Sequence, residues 1–271
     1  MLRDKKSKKY EGLYGRDLIK DLKSELGGKF EDGVLALFEP PLDYLCKELR
    51  EAMKGAGTKE STVIEIVCSQ DNKSMTELKK RYNELFKRDL ISDIKGDFHG
   101  DLEKILVSLC TAARSENKNP NRADCEAKAV QLYEAGAKKC GTDEEIFNKI
   151  FAICSREELI LISQIYNQKY KKDIISVLKS ELTGKTEKAF VAVIYALLSP
   201  SEYFATRFYD AMHGAGTRDH DLIRASICRD EIDMPQIKKF YKQLYGKDLV
   251  DAIKSETSGD YKKFLVELTS H

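Results

Sequence analysis

Four landmarks recur along this chain at fixed intervals, and that recurrence limits the fold more than any other feature. Gly-Thr occurs as Gly57-Thr58, Gly141-Thr142 and Gly216-Thr217. Thirty-one residues beyond each Thr stands an aspartate: Asp89, Asp173 and Asp248. Eight further on lies an acid (Asp97, Glu181, Glu256), and three more reach Gly100, Gly184 and Gly259. Part of a fourth copy, "GRDLIKDLKSELGGKFE", supplies Asp17, Glu25 and Gly28; its Gly-Thr would precede Met1. Self-similarity at such a period marks stacked repeats that bury their apolar faces on one another.

The Thr-to-Thr spacing is 84 and then 75 residues. The extra length falls in the polar stretch "RSENKNPNRAD" at 114–124, which reads as a linker. Pro40-Pro41 and Ser199-Pro200 mark the shorter junctions. The expected organisation is a partial repeat over 1–40, repeats over 41–113, 124–198 and 199–271, and a linker at 114–123.

Inside a repeat the apolar periodicity is helical throughout. Leu42, Leu45, Cys46, Leu49, Ala52 and Met53 fit one helix face. Val63 to Val67 begin a short, largely buried second helix. Leu78, Tyr82, Leu85 and Phe86 mark a third, Leu90 to Ile94 a short fourth, and Leu102 to Leu109 a fifth. No stretch alternates as a strand does, so the expectation is all-α, with five helices per repeat.

Charge narrows the function. The 46 basic and 45 acidic side chains nearly cancel, which removes long-range attraction to nucleic acid or to anionic lipid. Any polyanion must be held by a local device. No apolar run reaches the 18 residues of a membrane span, and the basic "MLRDKKSKKY" lacks the apolar segment of a secretory signal. Seven cysteines without a CxxC pair read as reduced thiols in a cytoplasmic protein. Cys68, Cys154 and Cys228 read as core residues. Cys140 is a candidate exposed thiol.

The glycine loops suggest the local device. "MKGAGTKE" at 53–60 joins the first and second helices, and the downstream acid ends the fourth. Both can lie at one end of a helix bundle. Glycine admits the positive φ that turns carbonyl oxygens toward one point. Several carbonyls and one carboxylate make a hard-cation site, whose irregular geometry suits calcium better than magnesium. The plainer reading is a turn followed by a helix cap, with Thr58, Thr142 and Thr217 as N-caps and Thr142 with Glu145 as a capping box. A turn alone does not explain an acid at constant distance in three copies.

The motifs "MKGAGTKE", "AKKCGTDEE", "MHGAGTRD" and "IKSETSGDYKKFL" resemble the annexin family over nearly the whole chain. The resemblance implies an all-α array of five-helix repeats forming a curved disc, with Ca2+ sites that dock on anionic phospholipid. Carried over by position, one site uses carbonyls of Met53, Gly55 and Gly57 with Asp97. A second uses carbonyls of Gly136, Lys139 and Gly141 with Glu181. A third uses carbonyls of Met212, Gly214 and Gly216 with Glu256. Minor sites are implied at Thr58, Glu60, Thr142, Glu144, Thr217 and Asp219, and at Glu31, Glu103 and Glu187; Lys262 replaces the acid in the last repeat. The partial first repeat, with Glu25 but no glycine loop, is expected to hold no principal site.

The expected function is calcium-dependent binding to an anionic phospholipid membrane surface. The protein would be cytoplasmic, peripheral on the membrane when calcium is bound, and able to self-associate there, with no nucleic-acid partner. A calcium-independent scaffold or cytoskeletal protein on the same repeats is the alternative. No Walker loop, G-x-S-x-G or Cys–His pairing suggests an enzyme. Lys95-Gly96-Asp97 is read as the acid-bearing loop rather than an adhesion motif, and the four histidines show no metal spacing.

Overall fold

The computed structural model describes the backbone of every residue except 1, 56, 137–142, 182–183, 215 and 271. Side chains of 2–7, 181 and 185–187 are also outside the description. The described secondary structure is helical, with no strand among the described residues. The partial first repeat is α1 (Leu2–Tyr14), α2 (Leu18–Glu25) and α3 (Gly28–Phe38). The next copy is α4 (Pro41–Ala52), α5 (Glu60–Cys68), α6 (Asn72–Phe86), α7 (Leu90–Asp97) and α8 (Gly100–Cys110). Then come α9 (Arg122–Ala135), α10 (Glu144–Ile153), α11 (Arg156–Tyr170), α12 (Ile174–Glu181) and α13 (Lys185–Leu198). The last copy is α14 (Pro200–Met212), α15 (Asp219–Arg229), α16 (Met234–Tyr245), α17 (Leu249–Glu256) and α18 (Gly259–Thr269).

The recurring aspartate and glycine have local causes. Asp17, Asp89, Asp173 and Asp248 stand immediately before the fourth-position helices α2, α7, α12 and α17. The carboxylates of Asp17, Asp89 and Asp173 accept backbone N–H groups of the first turn, at 2.8 Å from Ile19, Ser92 and Ser176. This satisfies donors that helix geometry leaves orphaned. Asp248 departs from its copies: it makes no capping bond and pairs instead with Lys242 at 3.2 Å. Two residues before each aspartate the chain turns left-handed, at Gly15, Lys87, Lys171 and Gly246 (φ 62, 54, 54 and 70°). The closing glycine of each copy enters the next helix with φ of 60, 64, 112 and 60° at Gly28, Gly100, Gly184 and Gly259, which disfavours a side chain there.

Two compact units emerge, 1–44 with 201–271 and 45–200. In the first, α3 packs against α15 and α18. A Cβ on Gly33 would come within 2.5 Å of Phe264 Cε1, so the missing side chain makes room for that ring against α3. Phe30 meets Phe264 edge-on at 6.0 Å. In the second unit α5 packs on α8 and α13, α10 on α8, and α9 on α11. Val63, Ile64, Ile66 and Val67 are buried, as their periodicity predicts.

The polar linker is strapped down. Ser115 N–H donates to Ile153 O at 2.7 Å, Ser155 Oγ to Asn117 O at 2.8 Å, and Arg114 Nη2 to Cys154 O at 3.1 Å. A capping box does occur in the third copy, at Ser155 and Glu158. Cys68 and Cys154 are buried as expected, but Cys228 is only half-buried; Cys140 lies outside the described residues.

Candidate calcium-binding loops

In the second copy, α4 ends at Ala52 and the loop closes when Lys59 N–H donates to Ala52 O at 2.9 Å. Inside it Gly55 and Gly57 have φ of 93 and 102°, with open space where a Cβ would project. The last copy repeats this: Arg218 N–H reaches Ala211 O at 2.7 Å, and Gly214 and Gly216 have φ of 119 and 89°. There Gly216 N–H also donates to Gly214 O at 3.1 Å. In the third copy the equivalent bond joins Asp143 N–H to Ala135 O at 2.8 Å. That bond spans eight residues instead of seven, so the third loop is one residue longer and Gly136 takes the place of Met53 and Met212.

Thr58 and Thr217 are not helix caps. The N-cap residues of α5, α10 and α15 are Lys59, Asp143 and Arg218, none with a side-chain capping bond. Thr58 instead donates its hydroxyl to Asp97 Oδ2 at 3.1 Å. A capping bond would use the Thr58 oxygen as acceptor, whereas this bond uses its hydroxyl hydrogen, which goes to the carboxylate at the end of α7 as a charge-assisted donor. Thr58 thus ties the glycine loop to the acid 39 residues downstream.

Other expected ligands divide by copy. Met53 and Met212 are buried, at 5% and 4% exposure, so their carbonyls start from a fixed turn. Met212 and Glu256 line one cavity. In the third copy Gly136 has φ −107°, while Lys139, Gly141 and Thr142 lie outside the described residues, as do the side chains of Glu181 and Glu187. The proposed capping box of Thr142 with Glu145 falls there too. Glu60, Glu144 and Asp219 are the first residues of α5, α10 and α15, and Glu31 and Glu103 sit in the first turns of α3 and α8. Negative charge there favours the helix N-terminus whether or not a cation is bound.

Among the described residues no group of three or more His, Cys, Asp or Glu could hold a metal. Backbone carbonyl oxygens and carboxylates are hard ligands of the kind calcium takes. The residues missed from sequence are carboxylates in the first turns of α7 and α2. Asp93 (4% exposed) accepts from Tyr82 Oη at 2.7 Å, from Arg88 Nη2 at 2.5 Å and from Arg50 Nη1 at 3.3 Å. Burial pushes its carboxyl up, but Arg88 and Tyr82 outweigh burial and hold it below the ordinary value. Asp21 repeats the pattern with Tyr10 and Arg16, both at 2.8 Å. Comparing Tyr, Arg and Asp at matched positions in the copies would have found the pattern.

A family model described as Annexin matches residues 3–37, 44–109, 128–193 and 203–268. The chain belongs to the annexin family. It is 42% identical over 260 residues to human annexin A13, covering 96% of this chain and 82% of that protein. Human annexin A7 is 41% identical over 259 residues; 96% of this chain matches but only 53% of annexin A7, so the chain spans about half its length. Among solved structures, calcium-bound annexin (Sm)1 superposes with a TM-score of 0.87 at 31% identity, over 99% of this chain and 81% of that one. Annexins in general bind phospholipid in a calcium-dependent way and are not known as enzymes. Among the described residues no helix is long and apolar enough to cross a membrane.

Proposed function

We propose that this annexin chain binds anionic phospholipid membranes through calcium held at its Gly-rich loops. The observation that carries the reading is the Thr58–Asp97 hydrogen bond, which brings the downstream carboxylate against the glycine turn. The carbonyls of Met53, Gly55 and Gly57 with Asp97 would hold one ion. Those of Met212, Gly214 and Gly216 with Glu256 would hold another, and those of Gly136, Lys139 and Gly141 with Glu181 a third. Thr58, Glu60, Glu103, Thr142, Glu144, Glu187, Thr217 and Asp219 are proposed for minor sites. The repeat boundaries at 40/41, 113, 124 and 198/199 belong to the same reading.

A bound calcium ion supplies positive charge with coordination positions left for a lipid phosphoryl oxygen. One carboxylate and three neutral carbonyls do not cancel that charge, so affinity in solution is weak and rises when a lipid completes the shell. Linkage then requires lipid to tighten calcium by the same factor that calcium tightens lipid. The chain's near-zero net charge makes this local charge the attraction that brings it to a membrane, as a peripheral protein of the cytoplasmic side.

The test is co-sedimentation with phosphatidylserine vesicles across a calcium titration. Replacing Asp97, Glu181 and Glu256 by Ala together should raise the calcium needed for half-maximal pelleting by at least about tenfold. Helicity by circular dichroism should stay at the wild-type level. An unchanged calcium requirement, or equal pelleting in chelator, would favour the calcium-independent scaffold.

A further inference from the structure

The last repeat carries a cavity of about 330 Å³ whose walls include Tyr209, Tyr241, Tyr245, Lys247, Ala252 and Glu256. Its origin lies in the copies. Aligning Asp89 with Asp248 and the loop-closing Lys59 with Arg218 pairs Tyr82 with Tyr241 and Arg88 with Lys247. The same register pairs Arg50 with Tyr209 and Asp93 with Ala252. In the second copy the Asp93 carboxylate fills this place and accepts from Tyr82, Arg88 and Arg50. Asp21 does so in the first copy, with Tyr10 and Arg16 as donors. In the last copy the carboxylate is gone.

The donors remain. Tyr241 is 1% exposed and lines the cavity, and its hydroxyl has no hydrogen-bond partner among the described residues. Lys247 Nζ stands at the rim, donating to Ser255 Oγ at 2.8 Å. Burial first, then Tyr209 and Glu256, push the Tyr241 hydroxyl up to about 12, so at neutral pH it stays a donor. Tyr209 in place of Arg50 stacks on Tyr245 at 3.8 Å and on His213 at 3.7 Å. The result is a ring-lined chamber that a flat apolar body would fit. In the third copy Tyr133 and Tyr170 stack likewise, but Val177 stands where Ala252 does and takes up more of the space.

We propose that this chamber binds an organic carboxylate with an aromatic or similarly flat body, the carboxylate taking the place that Asp93 occupies in the second repeat. Tyr241 donates to it, Lys247 offsets its charge against the opposing Glu256 carboxylate on the same wall, and the tyrosine rings cover its body. The carboxylate can come from a soluble metabolite or from the serine headgroup of a lipid held at the neighbouring loop. The chemistry is the same in both cases.

The test uses the full chain in chelator, so that its outcome does not depend on calcium. Binding of 3-phenylpropanoate and of its neutral amide is followed by isothermal titration and ligand-observed NMR. The carboxylate should bind and the amide should bind at least about tenfold more weakly. Tyr241→Phe should weaken the carboxylate by about tenfold, the loss of one charge-assisted hydrogen bond. Ala252→Asp should abolish binding by refilling the place from within. Equal binding of acid and amide, or wild-type affinity in Tyr241→Phe, would overturn the proposal even if Ala252→Asp fails to fold. With calcium present, phosphatidylserine vesicles displacing the probe where phosphatidylglycerol vesicles do not assigns the carboxylate to the lipid. Retention of the probe with both assigns it to a soluble ligand.

Discussion

Asp93 shows how much one residue can decide. It is a nearly buried carboxylate facing two guanidiniums and a tyrosine hydroxyl. Removing its charge leaves Arg50 and Arg88 facing an amide. Because Arg88 is half exposed (51%), water recovers part of the loss. Asp93→Asn should therefore cost about 2 kcal/mol, below the range for fully buried pairs, read from urea unfolding at neutral pH. The folded carboxyl lies below its ordinary 3.8, so its stabilising effect is present above that value. It is lost as pH falls from there through the folded value. Asp221, held low by Arg224 and Arg207 against the upward push of burial, follows the same sign. The wild type should thus lose stability steeply on acidification below pH 3.8 and the Asp93→Asn variant less so; parallel curves would refute the assignment. Periodicity places Leu and Val but carries no information about such pairing. The Arg50–Asp93 contact spans 43 residues, and nothing local in the sequence marks it.

At the level of elements, the turn between the third and fourth helices of each repeat is a left-handed residue followed by an aspartate cap. Gly15 and Gly246 occupy the left-handed position without strain, whereas Lys87 and Lys171 pay for their Cβ. Lys87→Gly should stabilise the protein by about 0.5 kcal/mol, the relief of strain exceeding the added freedom of the unfolded chain. Thermal unfolding measures it, and a lower Tm would mean the lysine side chain matters more than its backbone. The helices themselves were legible, because apolar spacing reflects burial directly. The four landmark glycines and aspartates were legible as a pattern, but their roles were not. Asp17, Asp89 and Asp173 proved to be side-chain caps, and Thr58 and Thr217, which local propensity assigns to capping, were not. Capping propensity reports what a threonine does when its only partners are its neighbours; Thr58 had a carboxylate from another helix. Likewise the extra residue of the third loop shows only in where its closing hydrogen bond falls.

For the molecule as a whole, ions that bind only folded loops must raise its stability. Calcium about 100-fold above the dissociation constant of a site adds about 2.7 kcal/mol per site. Differential scanning calorimetry in calcium and in chelator should show a higher Tm with calcium, and the Asp97, Glu181 and Glu256 triple variant should lose that difference. Identical curves for the wild type would remove calcium from the folded state. The close approach of Gly33 to Phe264 bears on a different matter, the order in which the chain becomes native. Residues 45–200 hold their partners within one continuous stretch, whereas 1–44 share a unit with 201–271. On the ribosome residues 1–44 emerge before 201–271, so α3 meets α15 and α18 only after that later segment is made. The part of α3 that α15 and α18 cover is then unshielded until they are made, the period in which a chaperone has the most to do.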